Sequence, residues 1–181
     1  MKRIIKKLKI EGRLHKVELM IIEKKDRAFL KRLFEEWKKT NEDVKKIGTR
    51  GINLPESFSE SCFCLFFPSA RVIKVHGKTS GSFDTIDLKT GRRQQIKACS
   101  TEKELTSFGP RSVWDDLYFL DFSKLDGSFA VYKIPNKYIY ERGVNRNQTF
   151  REQQKEKRRP RFSIKQLIKE KGIKPIKICK L

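Results

Sequence analysis

The chain has 181 residues, 37% apolar and 10% aromatic, enough to bury one sizeable core, which argues against collagen-like, coiled-coil and wholly disordered chains. Its 43 Lys and Arg against 22 Asp and Glu leave a formal net charge of +21. Such a field favours a polyanionic partner, whether DNA, RNA, the ribosome or an anionic membrane, and motifs must choose among them.

The opening stretch MKRIIKKLKI starts positive, but charges interrupt every apolar run before it reaches the roughly 7–15 residues of a secretory core. No later run approaches the about 20 residues of a membrane-spanning helix. The expectation is a soluble, cytoplasmic protein with no membrane partner, in which residues 1–25 form a basic N-terminal segment whose stretch from Lys2 to Lys9 adds sequence-independent attraction.

Over residues 26–47, Phe29, Leu30, Leu33, Phe34, Trp37, Val44 and Ile47 recur at helical spacing, with Gly48 as a stop. This predicts an amphipathic helix, broken near Thr40 and Asn41. A second helix is predicted from Pro55, whose fixed φ suits a first helical position, to about Phe66. Glu56 and Glu60 share one of its faces.

The period then changes, and residues 71–75, 83–88, 93–100, 117–122 and 129–134 read as strands. Leu117-Tyr118-Phe119-Leu120 is apolar on both faces, as in a buried central strand. Beyond Pro135, short helical patterns at residues 137–141 and 164–170 flank a basic stretch, residues 151–161. The predicted fold is α/β, a mixed central β-sheet flanked by helices. It forms one domain over residues 1–181, with a basic C-terminal extension at residues 145–181.

Cys62, Cys64, Cys99 and Cys179 match no common zinc spacing and are expected to be buried, reduced thiols. His15 and His76 are isolated from any ligand or triad partner. Tyr118, Phe119 and Phe122 read as core rather than base-stacking platforms.

The chemistry concentrates between Phe83 and Ser100, where two strands are joined by Lys89-Thr90-Gly91-Arg92. A turn centred on Thr90-Gly91 sets Asp84 opposite Lys97 and Gln95 opposite Ile86, with Asp84, Gln95 and Lys97 on one face and Asp87 on the other. An acid beside a hydrogen-bonding residue and a lysine can hold a hard divalent cation next to an ammonium, and such oxygen ligands suit Mg²⁺.

Ser82-Phe83-Asp84 followed by Gln95-Ile96-Lys97 resembles the PD-(D/E)xK nuclease signature, with Gln in the place usually held by Asp or Glu. Leu54-Pro55-Glu56, Ser59-Glu60, LTSFGPRSVWDDLYFLDF, DGSF, VYKIP, NQTFREQQ and RRPRFSI extend the likeness. Together they resemble a small family of type II restriction endonucleases that read GC, any base, GC.

The resemblance implies a restriction-endonuclease-like core and Mg²⁺-dependent hydrolysis of double-stranded DNA at a short palindrome. Asp84 is then a metal ligand, and Gln95 with the Ile96 carbonyl completes or shapes the metal site. Lys97 orients or activates the attacking water. Glu60, with Glu56 as alternate, compensates for the carboxylate missing at Gln95.

Arg158, Arg159 and Arg161 suit the O6 and N7 acceptors of guanine, while Arg151, Gln153 and Gln154 add phosphate and base contacts. Arg111 lies close enough in sequence to reach the scissile region. A palindromic site implies a homodimer and, as functional partner, a protecting DNA methyltransferase.

Plainer readings stand beside these: a cross-strand ion pair at Asp84 and Lys97, a solvated face at Glu56 and Glu60, and a solubilising tail at residues 151–161. The rival functions are a repair or structure-selective nuclease of the same fold and a non-enzymatic, basic nucleic-acid-binding protein.

Overall fold

The computed structural model describes residues 1–10, 12–48, 51–76 and 83–181; Ser82, the first residue of the signature, lies outside them. In chain order the elements are β1 (Lys2–Ile10), β2 (Arg13–Ile21), α1 (Arg27–Ile47), α2 (Glu56–Phe66), β3 (Ser69–His76), β4 (Thr85–Asp87) and β5 (Arg93–Cys99). They continue with β6 (Thr106–Ser107), β7 (Asp116–Asp121), β8 (Ser128–Ile134), α3 (Asn136–Tyr140), α4 (Phe150–Lys155), β9 (Arg161–Phe162), α5 (Ile164–Lys171) and β10 (Lys177–Lys180). Eight strands form one sheet in the order β1-β2-β3-β4-β5-β7-β8-β10, and β6 pairs with β9 in a separate ribbon. Within the large sheet β5 and β7 run parallel and every other pair is antiparallel.

Strand β7 shows why the sheet is covered on both sides. Its Tyr118 and Leu120 join the cluster formed with Leu30 and Phe34 of α1 and Phe58, Cys62 and Phe63 of α2. Leu117 and Phe119 point the other way, into Phe108, Trp114, Phe150, Phe162, Ile164 and Leu167. Side-chain alternation thus turns one apolar run into the shared floor of two cores. All four cysteines are free and buried within these layers, and the mixed α/β architecture is the one expected.

Several local expectations need correction. Helix α1 is unbroken through Thr40 and Asn41; buried Asn41 turns its amide outward from the helix ladder and accepts the Ile52 N–H at 2.7 Å, fastening the returning chain. Residues 2–10 and 13–21 are two paired nine-residue strands, and Val17 and Leu19 are fully buried between exposed or half-buried neighbours. The C-terminal residues are also built into the body: β10 pairs with β8, and Phe150, Phe162, Ile164 and Leu167 belong to the second core.

The turn between β4 and β5 is displaced as well. Thr85 pairs with Gln94 and Ile86 with Arg93, so Asp84 stands beside Gln95 and not Lys97. The cause is Asp87, whose carboxylate accepts the Lys89 and Thr90 N–H groups at 2.9 and 2.8 Å, while its carbonyl accepts Gly91 N–H at 2.9 Å. This widens the loop to residues 88–91, with Gly91 at φ +72°, a left-handed conformation that favours glycine. A shift of two residues keeps every side chain on its predicted face, so the grouping of Asp84, Gln95 and Lys97 survives.

Candidate active site

The cluster forms where β4 begins and β5 passes it. Asp84 Oδ2 accepts the backbone N–H of Ile96 at 2.7 Å and the side-chain amide of Gln95. Gln95 is buried, and its Oε1 has no hydrogen-bond partner among the described residues. A buried acceptor left open costs about 1–3 kcal/mol, and here it sits beside a carboxylate.

Glu60 approaches from α2, buried, with its carboxylate held by Arg71 Nε of β3. Burial pushes the Glu60 carboxyl up, and Arg71 opposes the shift. The Asp84 carboxyl is pushed up to about 7, first by burial and then by the charge of Glu60; the Ile96 N–H and Lys97 pull it down, and Glu56 adds a smaller push. Asp84, Glu60, Glu56 and Lys97 therefore feel one another's charge, which brings the predicted catalytic residues into one electrostatic unit.

Lys97 lies half-buried with its ammonium 5.5 Å from the centre of the Phe108 ring, and it forms no ion pair with any described residue. It lines a cleft of about 340 Å³ together with exposed Glu56 and Lys103, half-buried Ser100 and Ser107, and buried Ser59. Asp84 and Gln95 adjoin that cleft through Ile96 and Lys97. Among the described residues no three His, Cys, Asp or Glu side chains gather closely enough to hold a metal ion alone. A cation would rest on Asp84, the open amide oxygen of Gln95, the Ile96 carbonyl and its own waters. That donor set fits Mg²⁺, which prefers hard oxygens and keeps much of its hydration.

The basic residues near the C-terminus reach the same neighbourhood through the small ribbon. Thr106 and Ser107 of β6, where the cleft wall ends, pair with Phe162 and Arg161 of β9, and the Phe108 N–H donates to Pro160 O at 3.0 Å. Arg111, Arg151, Arg158, Arg159 and Arg161 are all exposed. Arg151 lies over the Tyr140 ring at 5.2 Å, and Arg158 pairs with Glu156 at 3.2 Å. Gln153 is buried and donates to Gln148 at 3.4 Å. Gln154 donates to the carbonyls of Gly109 and Ser112 at 3.2 and 3.4 Å, tying α4 to the loop that carries Arg111.

Two residues of this site were not picked out by sequence reasoning: Arg71, which holds Glu60, and Phe108, which underlies Lys97. Neither lies in a local pattern that marks it, since both act across the fold. Helix α4 did carry a readable signal: Thr149 and Glu152 form a reciprocal capping box, with Thr149 N–H to Glu152 at 2.7 Å.

A family model described as Bsp6I restriction endonuclease matches residues 22–171. The chain is also similar to the type II restriction enzyme Bsp6I of Bacillus sp. (strain RFL6), 35% identical over 144 residues, covering 77% of this chain and 79% of that enzyme. No solved structure matches it.

Proposed function

The chain belongs to the Bsp6I restriction endonuclease family and is a type II, site-specific endonuclease; from that premise we propose a Mg²⁺-dependent phosphodiester hydrolase of the PD-(D/E)xK kind, with Asp84, Gln95 and Lys97 at its centre. The observation that carries this reading is buried Gln95, whose amide nitrogen donates to Asp84 and whose Oε1 no described residue satisfies, an acceptor that a cation would fill.

Asp84, Gln95 Oε1 and the Ile96 carbonyl would hold the ion, and Glu60, steadied by Arg71, supplies a further negative charge nearby. When bound, Mg²⁺ contributes a more acidic water and neutralises charge on the phosphate. Lys97, with no counter-ion among the described residues and its ammonium 5.5 Å from the centre of the Phe108 ring, orients the attacking water and stabilises the negative charge that develops on the phosphate. Partial burial of the site strengthens each of these interactions.

Arg158, Arg159 and Arg161 present forked donors to guanine edges, Arg111 and Arg151 meet the backbone or an adjacent base, and Gln153 and Gln154 support that surface from within. The substrate is a short palindrome of the GC, any base, GC type, cut on both strands by a two-fold dimer, and a cognate methyltransferase protects host DNA. Digestion of sequenced DNA with Mg²⁺, mapped to the nucleotide, tests the reading. Discrete fragments ending in one palindrome are expected, and a smear would overturn site specificity. Cleavage undiminished in chelator would overturn the metal assignment.

A further inference from the structure

Outside the span matched by the family model, residues 22–171, the N-terminal hairpin forms the edge of the sheet and carries a charge that its own packing does not use. Lys2, Arg3, Lys6, Lys7, Lys9, Arg13 and Lys16 are all exposed. The acid facing them among the described residues is Glu18, 3.6 Å from Arg3. Alternation along β1 sends Lys2 and Lys6 to one side of the sheet and Arg3, Lys7 and Lys9 to the other. The pairing register sets Lys7 directly opposite Lys16, and Lys16 opposite His76 of β3. Like charges directly opposite each other weaken a sheet.

Lysines also blunt an edge strand against pairing with other chains. That role is met by one or two cations and gives no reason for a cross-strand Lys–Lys pair or for cations on both faces. A polyanion running along the edge accounts for both. The hairpin is continuous with the catalytic strands, since β1 adjoins β2, β2 adjoins β3 and β3 adjoins β4, and Val72 of β3 donates to the Asp84 carbonyl at 2.9 Å. Three strand spacings of about 4.8 Å place the edge roughly 14 Å from the strand that carries Asp84.

We propose that the β1–β2 hairpin is a phosphate-binding edge that grips the backbone of duplex DNA flanking the cleaved site, through Lys6, Lys7, Lys9 and Lys16. The proposal takes duplex DNA as substrate from the preceding reading. It adds a sequence-independent grip that lengthens the footprint and steepens salt dependence without touching base recognition.

The test compares Lys6→Gln/Lys7→Gln/Lys9→Gln with Lys31→Gln/Lys39→Gln/Lys45→Gln, an equal reduction of charge on the exposed face of α1, in binding to a long and a short duplex across a salt series in Ca²⁺. For the hairpin variant on long DNA, the slope of log K against log salt should fall by about 2–3, at about 0.9 for each phosphate no longer neutralised. It should be unchanged on a duplex too short to reach the edge, and the α1 variant should match wild type on both. Arg at the same three hairpin positions should restore the slope, separating charge from folding. Equal slopes for hairpin and α1 variants, or a fall as large on the short duplex, would overturn the proposal. Mg²⁺-dependent plasmid cleavage by the wild type, run in parallel, reports separately on the nuclease reading.

Discussion

The two ends of β5 use the same residue types to opposite ends. Where the strand starts, Arg92 pairs with Asp116 at 2.6 Å and Arg93 with Asp115 at 3.0 Å, and Lys133 reaches Asp116 at 2.8 Å. Hydrogen bonds from these partners hold both carboxyls below their ordinary range, although burial works against them. Further along β5, beside the start of β4, Asp84 is pushed up to about 7, Gln95 keeps an oxygen with no partner among the described residues, and Lys97 lies over an aromatic ring with no ion pair to a described residue. Paired charges fasten β5 to β7. Charges denied partners inside the fold remain available to a ligand, and burial of an acid without a matching base is the physical mark of that availability.

The sharpest way to break this contrast is to remove the unpaired groups. Asp84→Ala and Lys97→Ala should each lower the single-turnover cleavage rate by on the order of 10³-fold while a gel-shift assay in Ca²⁺ still detects DNA binding. Loss of binding in parallel with cleavage would make the cluster structural.

At the paired end the expectation reverses. Asp116→Asn removes the buried carboxylate shared by Arg92 and Lys133 and should cost about 2 kcal/mol of stability, roughly 30-fold in the folding equilibrium. Chemical denaturation would show this, with cleavage per folded molecule unchanged.

The raised Asp84 pKa gives a pH signature. Below about pH 7 the metal-free carboxyl is protonated and the metal must displace that proton. Mg²⁺ affinity measured by calorimetry should therefore fall about tenfold for each pH unit below 7 and level off above it. Because the raised pKa means the folded state holds the proton more tightly, ionising Asp84 also destabilises the metal-free protein as pH rises through the same range. Asp115 and Asp116 behave oppositely: their pKa values are lowered, so their stabilisation is present at neutral pH and is lost as pH falls below the usual carboxylate range.

The smallest effect is expected at the ring beneath the lysine. Phe108→Leu keeps an apolar core but removes the π face, and should slow cleavage about fivefold, within the worth of a cation–π contact. DNA affinity in Ca²⁺ should stay constant, and Phe108→Tyr should recover most of the rate.

Much of this molecule is legible along the chain. Helical spacing locates α1 and α2, alternation locates the central strands, and the doubly apolar run of Leu117 to Leu120 announces a strand covered on both sides. Of the two strands missed at the N-terminus, β2 carries alternation in Val17 and Leu19 against Lys16 and Glu18, and the dense lysines of β1 obscure its pattern. Asn41 reads as a breaker because Asn competes with helix backbone locally; its partner, Ile52, lies in another segment.

The grouping of Asp84, Gln95 and Lys97 on one face was fixed by strand parity, a property of local geometry that a two-residue slip leaves intact. Whether those groups would be satisfied or left wanting was decided elsewhere: by Asp87 widening the turn, by Arg71 claiming Glu60, and by Phe108 rising beneath Lys97 from a ribbon closed by β9. Periodicity is written in neighbours along the chain. Desolvation and charge pairing depend on neighbours in space, and so only the folded chain determines which of its many ions remain free to act.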